Sequence, residues 1–151
     1  MLLIKLMRLS FKRFNSVKKL LLKERDLALH KLPTFEVFRK KVEKSRSDLV
    51  NLLSNLKAQG KQIAGYGATS KSTTILNYCG IGPETINCIF DTTRDKIGKF
   101  SPGKHIPIVD HRNFKEKFYD YSFLFAWNHK REIEKKEKDY LRRGGKWITH
   151  L

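Results

Sequence analysis

The sequence predicts an α/β fold: a parallel sheet of about five strands with flanking helices, preceded by a long N-terminal helix. Three observations lead there. From residue 61 onward, short apolar runs alternate with helical stretches, the pattern of strands buried on both faces. Gly60, Gly80 and Gly144 fall where three helical stretches must stop. Apolar residues at helical spacing fill the segment before the first strand.

The elements follow in order. Thr34, after Pro33, can cap a helix. Phe35, Phe38, Val42, Leu49, Leu52, Leu53 and Leu56 then recur along one stripe of about six turns, at about 3.6 residues per turn, and Gly60 supplies the stop. "QIAGY" reads as the first strand and "STTILNYC" as a helix ended by Gly80. "INCIFD" is a second strand, and the loop "TTRDKIGKFSPGK" leads to a short third strand, "HIPIV". Asp110 can cap a helix "HRNFKEKF"; "YSFLFAW" is the fourth strand, followed by one helix, "REIEKKEKDYLRR", and by the last strand, "KWITH".

Right-handed crossovers applied to this element order give a Rossmann-like sheet arranged 3-2-1-4-5. Strands one and four are then neighbours and the chain reverses direction between them. Ligands bind at such a switch point, beyond the carboxyl ends of the strands. The first strand ends at the loop Gly65–Lys71 and the fourth at Trp127-Asn128, so the sheet brings "GYGATSK" and "WNH" together.

The loop itself nearly fits two phosphate patterns. G-x-G-x-x-G would use Gly65, Gly67 and position 70; G-x-x-x-x-G-K-[ST] would use Gly65, position 70, Lys71 and Ser72. Both fail at Ser70. The two glycines allow close backbone approach, the following helix offers N–H groups and a positive dipole end, and Lys71 can add a charge. Without a ligand the same residues make a tight strand-to-helix turn. Asp91 lies at the end of the second strand, where a dinucleotide fold places the acid that binds a ribose hydroxyl; it can equally cap the turn "DTTR". Phe100 and His105 lie in the segment "GKFSPGKHIPI", whose Gly and Pro content is too rigid for a mere linker. Trp127 can stack on a base or sugar and Asn128 can hydrogen-bond one, or they can serve as core and cap. No Ser/His/Asp or Cys/His constellation is present that would support nucleophilic catalysis.

The chain has 151 residues and a formal net charge of +17. Residues 1–60 hold 15 Lys and Arg against 5 Asp and Glu, so the excess is densest at the front. Such charge favours anionic partners, yet no basic patch is interleaved with aromatics as single-strand binders need, which argues against nucleic acid. Cys79 and Cys88 fit no zinc spacing and no disulfide framework. Cys88 reads as core, and a reducing cytoplasm is the simplest setting. Lys5, Arg8 and Lys12 interrupt the apolar N-terminus, excluding a transmembrane segment and arguing against a signal peptide. Residues 1–32 are therefore expected to be a basic extension, helical or frayed, and residues 33–151 the Rossmann-like domain.

Taken together, "GKQIAGYGATSKSTTILNYCGI", "DTTRDKIGKFSPGKHIPI", "WNHKREI" and "GGKWI", in this order, resemble the C-terminal domain of S-adenosylmethionine-dependent sugar C-methyltransferases. The resemblance runs from about Phe35 to Trp147. It implies a ligand-binding face made by Gly65, Tyr66, Gly67, Ala68, Thr69, Ser70 and Lys71, with Phe100, His105, Trp127 and Asn128; Asp91, read from the dinucleotide pattern, is the remaining ligand-binding candidate. It implies a nucleotide-sugar partner, thymidine diphosphate-linked sugars being the class the family suggests. It also implies that S-adenosylmethionine and the catalytic acid/base residues belong to a central methyltransferase domain absent from this chain, so that the domain binds no cofactor itself and meets its partner domain in trans. Ser72 stands where the family usually has Gly. Two alternatives from other classes are a small NAD(P)-binding oxidoreductase-like domain, which needs Asp91 against an adenosine ribose, and a basic nucleic-acid-binding module.

Overall fold

The computed structural model describes residues 15–149; the front of the expected basic extension lies outside them. Residues 15–26 are helical (α1) and are followed by a turn. The other helices are α2 (Leu32–Ala58), α3 (Ser70–Cys79), α4 (Lys130–Lys136) and α5 (Lys138–Arg142), with 3₁₀ turns at His111–Lys115 and Trp127–His129. The strands are β1 (Ile63–Tyr66), β2 (Ile89–Asp91), β3 (Ile108–Asp110), β4 (Tyr121–Leu124) and β5 (Lys146–Ile148). The chain divides into two compact units, Met1–Lys44 and Ser45–Leu151, with the division falling inside α2. Among the described residues no helix is long and apolar enough to cross a membrane.

All five strands are parallel, in the order β3-β2-β1-β4-β5, as the crossover argument expects. Successive strand residues alternate between two apolar clusters, one on each face of the sheet. Ile63, Ile89, Phe123 and Phe125 pack with Leu49, Leu53 and Leu56 of α2 and with Ile75 and Leu76 of α3. Ala64, Tyr66, Phe90 and Leu124 pack with Phe114, Ile133 and Tyr140. Short, fully buried strands of this kind read as apolar runs because neither face meets water. Cys79 and Cys88 are free thiols inside these clusters.

Four local expectations are corrected. Helix α2 starts at Leu32, not after a Thr34 cap: Pro33 sits in its first turn, where a missing N–H costs nothing, and the Thr34 hydroxyl donates to the Ala28 carbonyl at 2.9 Å. The stripe on α2 is buried only in its second half. Leu49, Leu53 and Leu56 are covered, whereas Phe35, Phe38 and Leu52 are exposed. The helix after β4 is broken at Glu137, which is buried and hydrogen-bonded to Tyr66 of β1 on the same face of the sheet. The caps that were expected do form: Asp110 accepts the Arg112 N–H, and Gly80 closes α3 in the left-handed region at φ 73°. The segment that Asp110 caps is a short 3₁₀ turn rather than a full helix.

Candidate functional site

The two loop glycines do different jobs. Gly65 lies within β1, and a Cβ there would stand 2.8 Å from Phe125 Cε2 and 3.0 Å from Ile89 Cγ1. Its lack of a side chain is therefore explained by packing inside the sheet. Gly67 stands just past the strand with φ +89°, a conformation that L side chains rarely adopt, and a Cβ would meet Ala126 Cβ at 3.1 Å. Gly67 thus makes the turn that releases the chain from β1 into α3.

The rest of the turn is braced from β2 and the loop after it. Asp91 is buried. Its Oδ2 accepts the Ala68 N–H at 2.6 Å and its Oδ1 the Thr93 N–H at 2.7 Å. Lys96 Nζ donates to the Ala68 carbonyl at 2.7 Å and lies 3.8 Å from Asp91 Oδ2. Burial pushes the Asp91 carboxyl up, but the hydrogen bonds from Thr93 and Ala68 together with the Lys96 charge outweigh it and hold the group below its ordinary value. Thr69 caps α3, its side chain accepting the Ser72 N–H at 3.2 Å, while the buried Ser72 hydroxyl donates back to the Thr69 carbonyl at 2.6 Å. The N–H groups of Ser70 and Lys71, in the first turn of a ten-residue helix, are engaged by none of these contacts.

Two cavities open at this end of the sheet. One, of about 290 Å³, is lined by Ala68, Thr69, Ser70 and Thr73 on the α3 side and by Lys96, Lys99, Phe100, Ser101 and Pro102 opposite. Phe100 is 60% exposed, so a large aromatic face is offered at its rim. The other, of about 380 Å³, lies toward α4 and is lined by Tyr66, Gly67, Thr69 and Asp91 together with His111, His129 and Lys136. Thr69 and Lys96 border both. The sequence-predicted residues are thus only partly gathered. Lys71 and Trp127 line neither cavity but meet each other, the ammonium 4.6 Å from the ring centroid. Trp127 packs partly on the core, while Asn128 is exposed beside it. His105 is exposed in a tight turn at φ 51°, its N–H donating to the Ser101 carbonyl.

Tyr66 points away from solvent. Its hydroxyl donates to Glu137 Oε1 at 3.0 Å, and burial followed by the adjoining carboxylate pushes its ionisation well above the usual range. His111 Nε2 stands 2.7 Å from the same Glu137 oxygen. Sequence reasoning missed His111, Lys136 and Glu137. One signal was present: Glu137 lies four residues after Ile133 and three before Tyr140, on the buried face of an otherwise Lys-rich segment.

A parallel sheet of this order, with a glycine-turned loop at its switch point, defines a Rossmann-like domain, a class in which ligands bind beyond the carboxyl edge of the sheet. The chain belongs to the C-methyltransferase C-terminal domain family, whose profile matches residues 4–151. It is similar to C-methyltransferase NovU of Streptomyces niveus, with 36% identity over 136 residues, covering 90% of this chain and 32% of that protein. The chain therefore spans about a third of that relative's length.

Proposed function

We propose that the chain is the nucleotide-sugar-binding part of a sugar C-methyltransferase, with thymidine diphosphate-linked sugars as the ligand class and methyl transfer residing in a separate methyltransferase domain. The observation that carries the reading is the pair of uncommitted N–H groups at Ser70 and Lys71. They sit at the positive end of α3 beside a cavity bordered by Lys96 and Lys99 and rimmed by the exposed ring of Phe100. A diphosphate meets N–H donors and ammonium groups there, and a base meets an aromatic face. Family membership supports the methyl chemistry, and the sequence resemblance to sugar C-methyltransferases suggests the sugar. S-adenosylmethionine, when bound by the methyltransferase domain, supplies the methyl group. Asp91 is buried and each of its oxygens accepts a backbone N–H, so it braces the turn; an NAD(P) reading would need its remaining lone pairs to reach a ribose hydroxyl.

The role of this chain is then to hold and orient the nucleotide, leaving the sugar for the partner domain. A single domain supplies part of the cleft, so affinity near millimolar, about −4 kcal/mol, is expected. An NMR titration of the full chain with thymidine diphosphate tests this. Shifts should cluster at Ala68–Lys71, Lys99–Phe100 and Trp127–Asn128; shifts scattered over the basic residues before 60 would mean that charge alone does the binding. The chain by itself should transfer no methyl group from S-adenosylmethionine to a nucleotide-sugar, and turnover free of contaminating enzyme would sink the division of labour.

A further inference from the structure

The larger cavity, toward α4, contains a hydrogen-bonded chain that the nucleotide-sugar reading does not use. Glu137 is 1% exposed, and an ionised carboxylate can only accept. Its Oε1 takes the Tyr66 hydroxyl at 3.0 Å and the His111 Nε2–H at 2.7 Å. That bond orients the imidazole and leaves Nδ1 on the far side, where Lys136 Nζ stands 3.5 Å away. Lys96, which also lines this cavity, donates to the Ala68 carbonyl and lies 3.8 Å from Asp91, and His129 stands 3.4 Å from Glu132. Among the described residues no carboxylate lies within ion-pair distance of Lys136. The cavity thus holds an ammonium, Lys136, with no carboxylate in ion-pair range, next to an imidazole fixed from behind by a buried carboxylate and beside an apolar wall of Phe90, Ala126 and Ile133, with the exposed Glu132 also in its lining.

We propose that this cavity is a phosphate site, separate from the Ser70–Phe100 face, in which the Lys136 ammonium receives a phosphate-bearing small molecule, Glu137 fixes the imidazole, and His111 donates to the phosphate from Nδ1 once it has taken up a proton there. A neutral ligand covering Lys136 would strip water from an ammonium and return no charge. A phosphate returns charge and several acceptor oxygens at once. Two sources share this chemistry: a separate phosphorylated metabolite, or the diphosphate of the nucleotide-sugar reaching across Thr69. The site stands on its own residues and does not depend on the nucleotide-sugar reading.

The test is an NMR titration of the full chain with inorganic phosphate at constant ionic strength, following the imidazole nitrogens of His111 and the backbone around Lys136. Saturable shifts confined to His111 and residues 132–137 are expected. Lys136→Met should weaken them tenfold or more, and Lys135→Met, an exposed neighbour outside the cavity, should leave them within twofold. Both variants alter solvent-facing side chains, so neither threatens folding. Equal losses in the two variants, shifts that never saturate, or shifts spread over residues 15–60 would overturn the proposal. Thymidine diphosphate then distinguishes the sources. Displacement of phosphate from His111 by the nucleotide assigns the site to its diphosphate, and additive binding assigns it to a second ligand. In the additive case the nucleotide's shifts at Ser70 and Phe100 survive Lys136→Met.

Discussion

Gly65→Ala is the sharpest test of how the glycine loop is built. A sequence pattern assigns both glycines to phosphate, whereas packing assigns Gly65 to the sheet interior. The added Cβ would lie 2.8 Å from Phe125 Cε2 and 3.0 Å from Ile89 Cγ1. Neither neighbour can yield easily. Phe125 and Ile89 are fully buried, and the Phe125 ring is stacked on Phe123 with centroids 4.3 Å apart. Overpacking of this kind costs about 1–3 kcal/mol. The loss of unfolded-state entropy on replacing Gly by Ala returns about 0.4–1 kcal/mol. A net destabilisation of about 1–2 kcal/mol remains, a fall in Tm of roughly 2–8 °C for a chain of this size. Gly65 lines neither cavity, so once the folded fraction is matched by lowering the temperature, nucleotide shifts at Ser70 and Phe100 should persist. Thermal melting by circular dichroism and the NMR titration read the two effects separately. A Tm within 1 °C of the parent would refute the packing argument, and lost binding in a folded variant would return Gly65 to the ligand.

Other substitutions separate burial from pattern. Leu53 is 1% exposed and Leu52 is 44% exposed, although both belong to the same helical stripe. Leu53→Ala should cost about 2–5 kcal/mol in urea unfolding and Leu52→Ala at most about 0.5 kcal/mol; equal losses would contradict the burial seen here. Asp91→Asn should cost about 1.5–3 kcal/mol by weakening charge-assisted hydrogen bonds to the loop. Because the folded Asp91 carboxyl is held below its unfolded value, its contribution is fully present above about pH 4 and is lost as pH falls through the folded value. Stability of the parent should therefore drop toward pH 3 more steeply than that of Asp91→Asn, and parallel pH profiles would count against the brace.

Much of this fold was legible because its signals are local. Apolar strands a few residues long, glycines at helix ends and the crossover rule suffice for the order β3-β2-β1-β4-β5. The site was less legible, because the same residue types serve packing and binding. Gly65 and Gly67 look alike in a motif, and only the neighbours Phe125 and Ala126, brought from β4 and the turn after it, tell them apart. The break at Glu137 was illegible for a related reason. Helix propensity favours continuing through "KKEKD", but Tyr66 and His111 draw the carboxylate into the core, and this tertiary bond ends the helix. Phe35 and Phe38 misled in the other direction, since spacing marks a stripe without saying what covers it.

The Asp91 brace bears on why a binding loop would be built this way. A ligand that closes a loose turn must offset the cost of ordering it, about 1–2 kcal/mol per residue fixed. Here Ala68 is held through both of its backbone groups, the N–H by Asp91 and the carbonyl by Lys96, while Thr69 closes the first turn of α3 from within. The ordering cost has been met in folding, and the amides of Ser70 and Lys71 stand ready. Asp91 also places a negative charge near the anion-binding end of a helix, which opposes a phosphate. Lys96 lies within 3.8 Å of that carboxylate and offsets it, so the turn is rigid without being repulsive. Removing Lys96 should therefore harm binding more than removing Lys99, although both border the same cavity, because Lys96 neutralises the brace as well as facing the ligand. Lys96→Met and Lys99→Met, compared in one thymidine diphosphate titration, should differ by at least threefold in apparent affinity. Equal losses would reduce both lysines to general surface charge and leave Asp91 uncompensated, an arrangement under which a phosphate at α3 would no longer make physical sense.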